Sequence, residues 1–129
     1  RRNRVNNMIS GAIFKVELEN SHPMAFGYSK DYYSLKIGSS SYELLEKGYN
    51  VGVIKDNPKP VSGYSGKKAL LKLDNTMIFG HEKFGKGNLI YFADNPLFRS
   101  FWENGKLFLV NSIFFIKIRR PSNQAFFIL

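Results

Sequence analysis

Apolar and polar positions along this chain fall into short runs of period two, punctuated by glycine, proline and Asn/Asp, until one long apolar run takes over near the carboxyl end. Residues 12–18 (AIFKVEL) set Ile13, Phe14, Val16 and Leu18 against Lys15 and Glu17, the pattern of a strand with one covered face. Asn20-Ser21-His22-Pro23 ends that run, Met24-Ala25-Phe26 is a short apolar piece closed by Gly27, and 32–37 (YYSLKI) is a second β-prone run ending at Gly38. Ser40 and Glu43 have capping-box spacing and Gly48 stands where a helix would close, which predicts a short helix over 41–47. Residues 49–54 (YNVGVI) read as a buried strand and 55–60 (KDNPKP) as a surface turn. Ser65 is placed to cap a helix over 67–73, with Leu70, Leu71 and Leu73 inward and Lys67, Lys68 and Lys72 outward. Residues 76–82 and 88–93 then pair as a hairpin through the positive-φ residues of Gly85-Lys86-Gly87.

The stretch from Phe84 to Ile118 holds the tightest turn signal, the densest aromatic cluster and the longest apolar run, and the rest of the chain is expected to cover it. Asp94-Asn95-Pro96 ends the strand before it, because Asp and Asn bond back onto their own backbone and Pro96 disfavours helix at the preceding residue. For 104–118 periodicity leaves helix and strand open, since an all-apolar helix and a buried strand give the same string. Length decides for a buried helix with Asn104 as its N-cap, because strands usually run to about 5–6 residues. The expected fold is α/β, a mixed β-sheet with flanking helices.

Composition adds bounds. With 129 residues the chain is one domain or part of one, and its 16% aromatic content, twelve Phe and seven Tyr, promises a sizeable core. The net charge of +9 permits anionic partners, but basic clusters occur only at Arg1-Arg2-Asn3-Arg4 and Lys117-Ile118-Arg119-Arg120, where solubility accounts for them; nucleic acid is not the expected partner. No run reaches the ~18 apolar residues of a membrane span, and the polar opening RRNRVNNMIS is no signal peptide but reads as the end of a helix begun upstream.

Candidate chemistry is sparse. Cysteine is absent, which removes disulfides, a thiolate nucleophile and cysteine-bound metal. The two histidines, His22 and His81, lie in different segments, and Glu82 points to the face opposite His81 on a strand. Zinc needs three or four converging ligands, so neither metal nor cofactor is expected. Gly85 and Gly87 precede a strand rather than a helix and make a hairpin turn, not a nucleotide loop. Phe98, Phe101 and Trp102 with Arg99 form either a sugar- or peptide-binding platform or a plug for the end of the sheet. Asp94, Asn95 and Arg99 alternatively make a polar lock that fixes the corner by hydrogen bonds and an ion pair.

The segments GAIFKVELENSHPMAFGY, GYNVGVIKDNPKPVSGYSG and GKGNLIYFADNPLFRSFWENGKLFLVNSIFF, in that order, resemble the class I glutamine amidotransferase-like domain appended to secreted bacterial zinc carboxypeptidases. The resemblance spans about residues 11–116. It implies the later part of a flavodoxin-like domain, a secreted or periplasmic location, and a metallopeptidase domain elsewhere in the parent that supplies the zinc ligands. Active amidotransferase domains use a cysteine and a His-Pro-Glu corner. At the matching FADNPLF, Asn95 stands where the histidine would be and Leu97 where the acid would be, and asparagine cannot take and return a proton near neutral pH. The implied role is a non-catalytic accessory domain. The other reading is a free-standing module for an anionic or carbohydrate ligand at the corner Asp94, Asn95, Arg99, Phe101 and Trp102. Three helices cannot cover both faces of such a sheet, so an open apolar face or edge is expected, with a homodimer or an upstream segment against it and Phe126–Leu129 buried in that contact or against the body.

Overall fold

The computed structural model describes residues 2–100 and 102–116. In chain order the elements are helix α1 (Arg2–Asn6), strand β1 (Ile9–Leu18), a 3-10 turn (Pro23–Ala25), β2 (Asp31–Lys36), β3 (Tyr49–Ile54), β4 (Pro60–Ser65), α2 (Lys67–Leu73), β5 (Thr76–Phe84), β6 (Gly87–Phe92), a second 3-10 turn (Phe98–Ser100) and α3 (Glu103–Phe114). The α/β class is as expected. The mixed sheet is corrected: every strand pair among the described residues is antiparallel. Parallel neighbours need long crossovers, whereas β5 and β6 are joined by a turn at Gly85, whose φ is 57°.

The six strands run in the order β2-β1-β3-β5-β6, with β4 also on β1. The ten-residue β1 gives one edge to β2 and shares the other, β4 lying along Ile9–Phe14 and β3 along Glu17–Leu18. Alternation along β1 buries Ala12, Phe14, Val16 and Leu18 in a single core cluster with Tyr32 of β2, Ile78 and Phe79 of β5, Leu73 of α2 and Phe108 of α3. Phe108 is the keystone ring. It stacks on Tyr28 and on Phe79, centroids 4.2 Å away in each case, and meets the edge of Tyr32 at 5.1 Å. Tyr28 braces the same helix, donating its hydroxyl to the Asn104 carbonyl at 2.6 Å and accepting from the Phe108 N–H at 3.1 Å. Burial pushes the Tyr28 hydroxyl pKa up, so it stays a neutral donor.

Several local expectations change. No helix forms over 41–47: Tyr42 bridges to Met77, and the Leu45 N–H and carbonyl are both taken by the Asn50 side chain. These partners take backbone groups that a helix would pair within itself. The surface turn 55–60 leads into β4, an exposed edge strand with no alternation to announce it. In α2 Ala69 and Leu73 are buried one turn apart and Leu70 packs against the core partly buried, while Leu71 is 78% exposed and the N-cap is Gly66 rather than Ser65. The α3 N-cap is Trp102, not Asn104.

Nor is α3 buried all round. Its inward face is Gly105, Phe108, Asn111 and Ser112, while Leu107, Val110, Ile113 and Phe114 are exposed. The two polar interruptions of the apolar run are therefore core residues. Asn111 Nδ2 donates to the Met24 carbonyl at 3.0 Å and to the Phe26 carbonyl at 2.7 Å, which docks α3 on the first 3-10 turn. Gly105 lets the helix start against Pro96, because a Cβ there would overlap the Pro96 carbonyl. Replacing Asn111 by leucine keeps the volume but strands two inward carbonyls. The expected loss is about 2–4 kcal/mol in urea unfolding, with an unchanged m-value.

Candidate functional site

Asp94 follows β6, at the opposite end of the sheet from β2, yet its carboxylate meets β2 side chains. Oδ1 pairs with Lys36 Nζ at 2.7 Å and Oδ2 accepts from Ser34 Oγ at 2.7 Å. Lys36 Nζ also donates to the Ser40 carbonyl at 2.8 Å. The Lys36 side chain is fully buried and that of Asp94 is 9% exposed. The sheet is curled, and this cluster closes it where β2 approaches the chain leaving β6. The expected polar lock is present with a different cation, since Arg99 does not pair with Asp94.

Asn95 Oδ1 accepts from the Leu97 N–H at 2.9 Å, folding the turn around Pro96. Arg99 and Ser100 have φ of 49° and 57°, and the Arg99 guanidinium lies over the Phe98 ring, 5.1 Å from its centroid. Trp102 is half-buried. Its indole Nε1 lies near the Tyr32 hydroxyl without an ordinary hydrogen bond, and burial raises that hydroxyl's pKa to about 12 although the indole opposes the rise. Phe101 lies outside the described residues, as do Phe126–Leu129, which were expected in a contact. Beside the corner is a hollow of about 220 Å³ lined by Leu35, Ile37, Ser40, Asp94, Asn95 and Phe98, among others.

A second cluster was not legible in the sequence. His22 and His81 come together, Nε2 of the first 3.0 Å from Nδ1 of the second, although 59 positions separate them. His22 caps the first 3-10 turn, its Nδ1 accepting from the Met24 N–H at 3.2 Å. A backbone N–H donates only, so the proton of His22 is assigned to Nε2, which donates to Nδ1 of His81. The second ring then holds its proton on Nε2, which donates to Asn88 Oδ1 at 2.9 Å. Both rings are buried, and Tyr49 stacks on His81 with centroids 5.7 Å apart. The pair lines a hollow of about 310 Å³ with Ser21, Tyr49, Lys83, Asn88, Phe115 and Ile116, among others. No local signal marks this meeting, because it depends on the register that puts Tyr49 opposite His81.

This donor set does not suit zinc. A metal on His22 Nε2 would move that ring's proton to Nδ1, against the Met24 N–H, and among the described residues no three His, Asp or Glu gather. Neither cluster holds a nucleophile beside a free base: Asp94 is ion-paired, Asn95 is not a base, and both histidines are committed to each other. No family model matches the chain, and neither any curated protein nor any solved structure matches it significantly.

The corner should therefore behave as a structural lock. Asp94→Asn leaves Lys36 buried and unpaired and should cost about 3–5 kcal/mol in denaturant unfolding. The double variant Lys36→Met/Asp94→Leu should recover most of that loss, since apolar replacement of a whole buried pair is often neutral.

Proposed function

We propose that this chain is a non-catalytic accessory domain of a zinc carboxypeptidase-like protein of secreted or periplasmic location, stabilising or orienting the peptidase or contacting its substrate. The observation that carries this reading is the state of Asn95. In the resemblance it stands at the position of the amidotransferase histidine, and its side chain folds the turn by accepting from the Leu97 N–H. Without a proton-transferring group there, and without cysteine, the corner serves the fold. In this reading the antiparallel sheet is the later portion of a flavodoxin-like amidotransferase-like domain, whose parallel strands belong to an earlier part of the parent.

The outer face of α3 supports a role against another domain. Leu107, Val110, Ile113 and Phe114 are exposed along it, and Phe26 and Phe115 extend it, with their rings in edge contact at 5.4 Å. A contiguous apolar surface of this kind usually marks an interface. The peptidase domain of the parent is the proposed partner, and a two-fold homodimer the form that the isolated chain adopts. A second reading, a carbohydrate-binding module, is favoured by the hollow beside Asn95 and Phe98.

The coding sequence on the amino-terminal side of Arg1 tests the first reading: a His-x-x-Glu pair with a distant His is expected, and its absence from the full parent overturns the proposal. The purified chain should hydrolyse neither glutamine nor peptide or ester substrates. It should also hold no zinc after exhaustive dialysis, whereas about one zinc per chain contradicts the reading. Light scattering should show self-association at high micromolar concentration that Val110→Lys/Phe114→Glu abolishes. Saturable glycan binding by the isolated chain, resistant to salt, supports the module instead.

A further inference from the structure

The His22–His81 pair has no nitrogen to spare. Both acceptor nitrogens, Nδ1 of His22 and Nδ1 of His81, already receive a hydrogen bond, and both Nε2–H groups already donate. A proton added to His22 Nδ1 would face the Met24 N–H, and one added to His81 Nδ1 would face the Nε2–H of His22. If His22 changes tautomer to relieve the second conflict, it creates the first. Each way of taking up a proton costs a hydrogen bond, and two protons would set like charges ring against ring.

The geometry points to a pH-sensitive latch: uptake of one proton by the His22–His81 pair uncaps the 3-10 turn Pro23–Ala25, loosens α3 from it and opens the hollow that the pair lines. The connection runs through Asn111, whose amide holds α3 to the carbonyls of Met24 and Phe26, within and just after the turn that His22 caps. Phe115 and Ile116, which follow α3, line the same hollow as the two rings. A shift of the turn therefore reaches both the helix and the cleft.

The surroundings set the direction. Glu19, after β1, faces His22 and favours its charged form, but this carboxylate already accepts from Ser21. Lys83 on β5 faces the hollow and disfavours a further positive charge; Tyr49 on β3 and Asn88 on β6 are neutral, and Phe115 and Ile116 are apolar. Burial, followed by the neighbouring His81, lowers the His22 pKa from 6.5 to about 4. Folded His22 thus binds fewer protons than it does in the unfolded chain. Its contribution to stability is fully present above about pH 6.5 and is lost as pH falls towards about 4.

An NMR titration of the isotope-labelled chain from about pH 7.5 to about pH 4 tests the latch across this interval. At neutral pH both rings should show the Nε2–H tautomer. On acidification the pair should take up one proton, the Met24 amide should shift with the same midpoint, and amide exchange in α3, corrected for its intrinsic pH dependence, should rise about tenfold. His22→Asn keeps a cap for the Met24 N–H but cannot titrate, and should hold that rise below about twofold. If this variant does not fold, His22→Ser, which also caps the Met24 N–H and cannot titrate, is read in the same way. The latch is overturned if both imidazoles titrate independently near the ordinary histidine value. Protonation that leaves the Met24 amide and α3 exchange unmoved contradicts it too, as does a full rise that persists in the non-titrating variant.

Discussion

An open sheet ordered β2-β1-β3-β5-β6 leaves its first and last strands at opposite edges, and here the ion pair of Lys36 with Asp94 draws those ends together. Much of the remaining architecture depends on that closure. Once β2 curls towards the chain leaving β6, Tyr32 meets Phe79 edge-on at 5.3 Å, and Phe108 enters between Phe79 and Tyr28. Two charges removed from water are a costly fastening unless their remaining valences are filled. Ser34 and the Ser40 carbonyl fill them. The same carboxylate begins the Asp94-Asn95-Pro96 corner, so the turn and the clasp are one feature. Pro96, packed on Gly105, passes that fixed point on to α3.

The features legible in the sequence were those set by neighbours along the chain. The β5–β6 hairpin follows from Gly85 between two apolar runs, β3 from an unbroken buried-type run, and α2 from its leucine and lysine spacing. Features set by partners far along the chain were not. In residues 32–37, alternation offers Tyr33, Leu35 and Ile37 as the apolar face, yet the buried set is Tyr32, Ser34 and Lys36. Polar groups take the inner face because Asp94, about sixty positions away, receives two of them. Asn111 presents the same case inside an apolar run: its amide is buried because two carbonyls of the 3-10 turn region need a donor. The histidine pair combines both effects.

This pattern also separates the two clusters by what they can do. At the corner, Asp94 and Asn95 both have structural tasks: Ser34 and Lys36 bond to the Asp94 carboxylate, and Asn95 folds the turn around Pro96. At the histidine pair the groups are equally well bonded but neutral, so protonation of His22 in mild acid can rearrange them. One cluster fastens the sheet; the other answers to the medium. The accessory reading is compatible with both, since a domain that holds its shape and presents an apolar helix face to a neighbour needs no reactive centre.

A buried, ion-paired Lys36 ammonium closing a curled sheet should be visible in the Nζ resonances of the isotope-labelled chain near neutral pH. The ammonium protons of exposed lysines exchange with water too fast to be seen, whereas a fully buried ammonium bonded to Asp94 and to the Ser40 carbonyl is shielded. One persistent ammonium signal is expected, with Overhauser contacts to Ser34. An Nζ signal for Lys36 indistinguishable from those of the exposed lysines, with no contact between β2 and the corner, contradicts it.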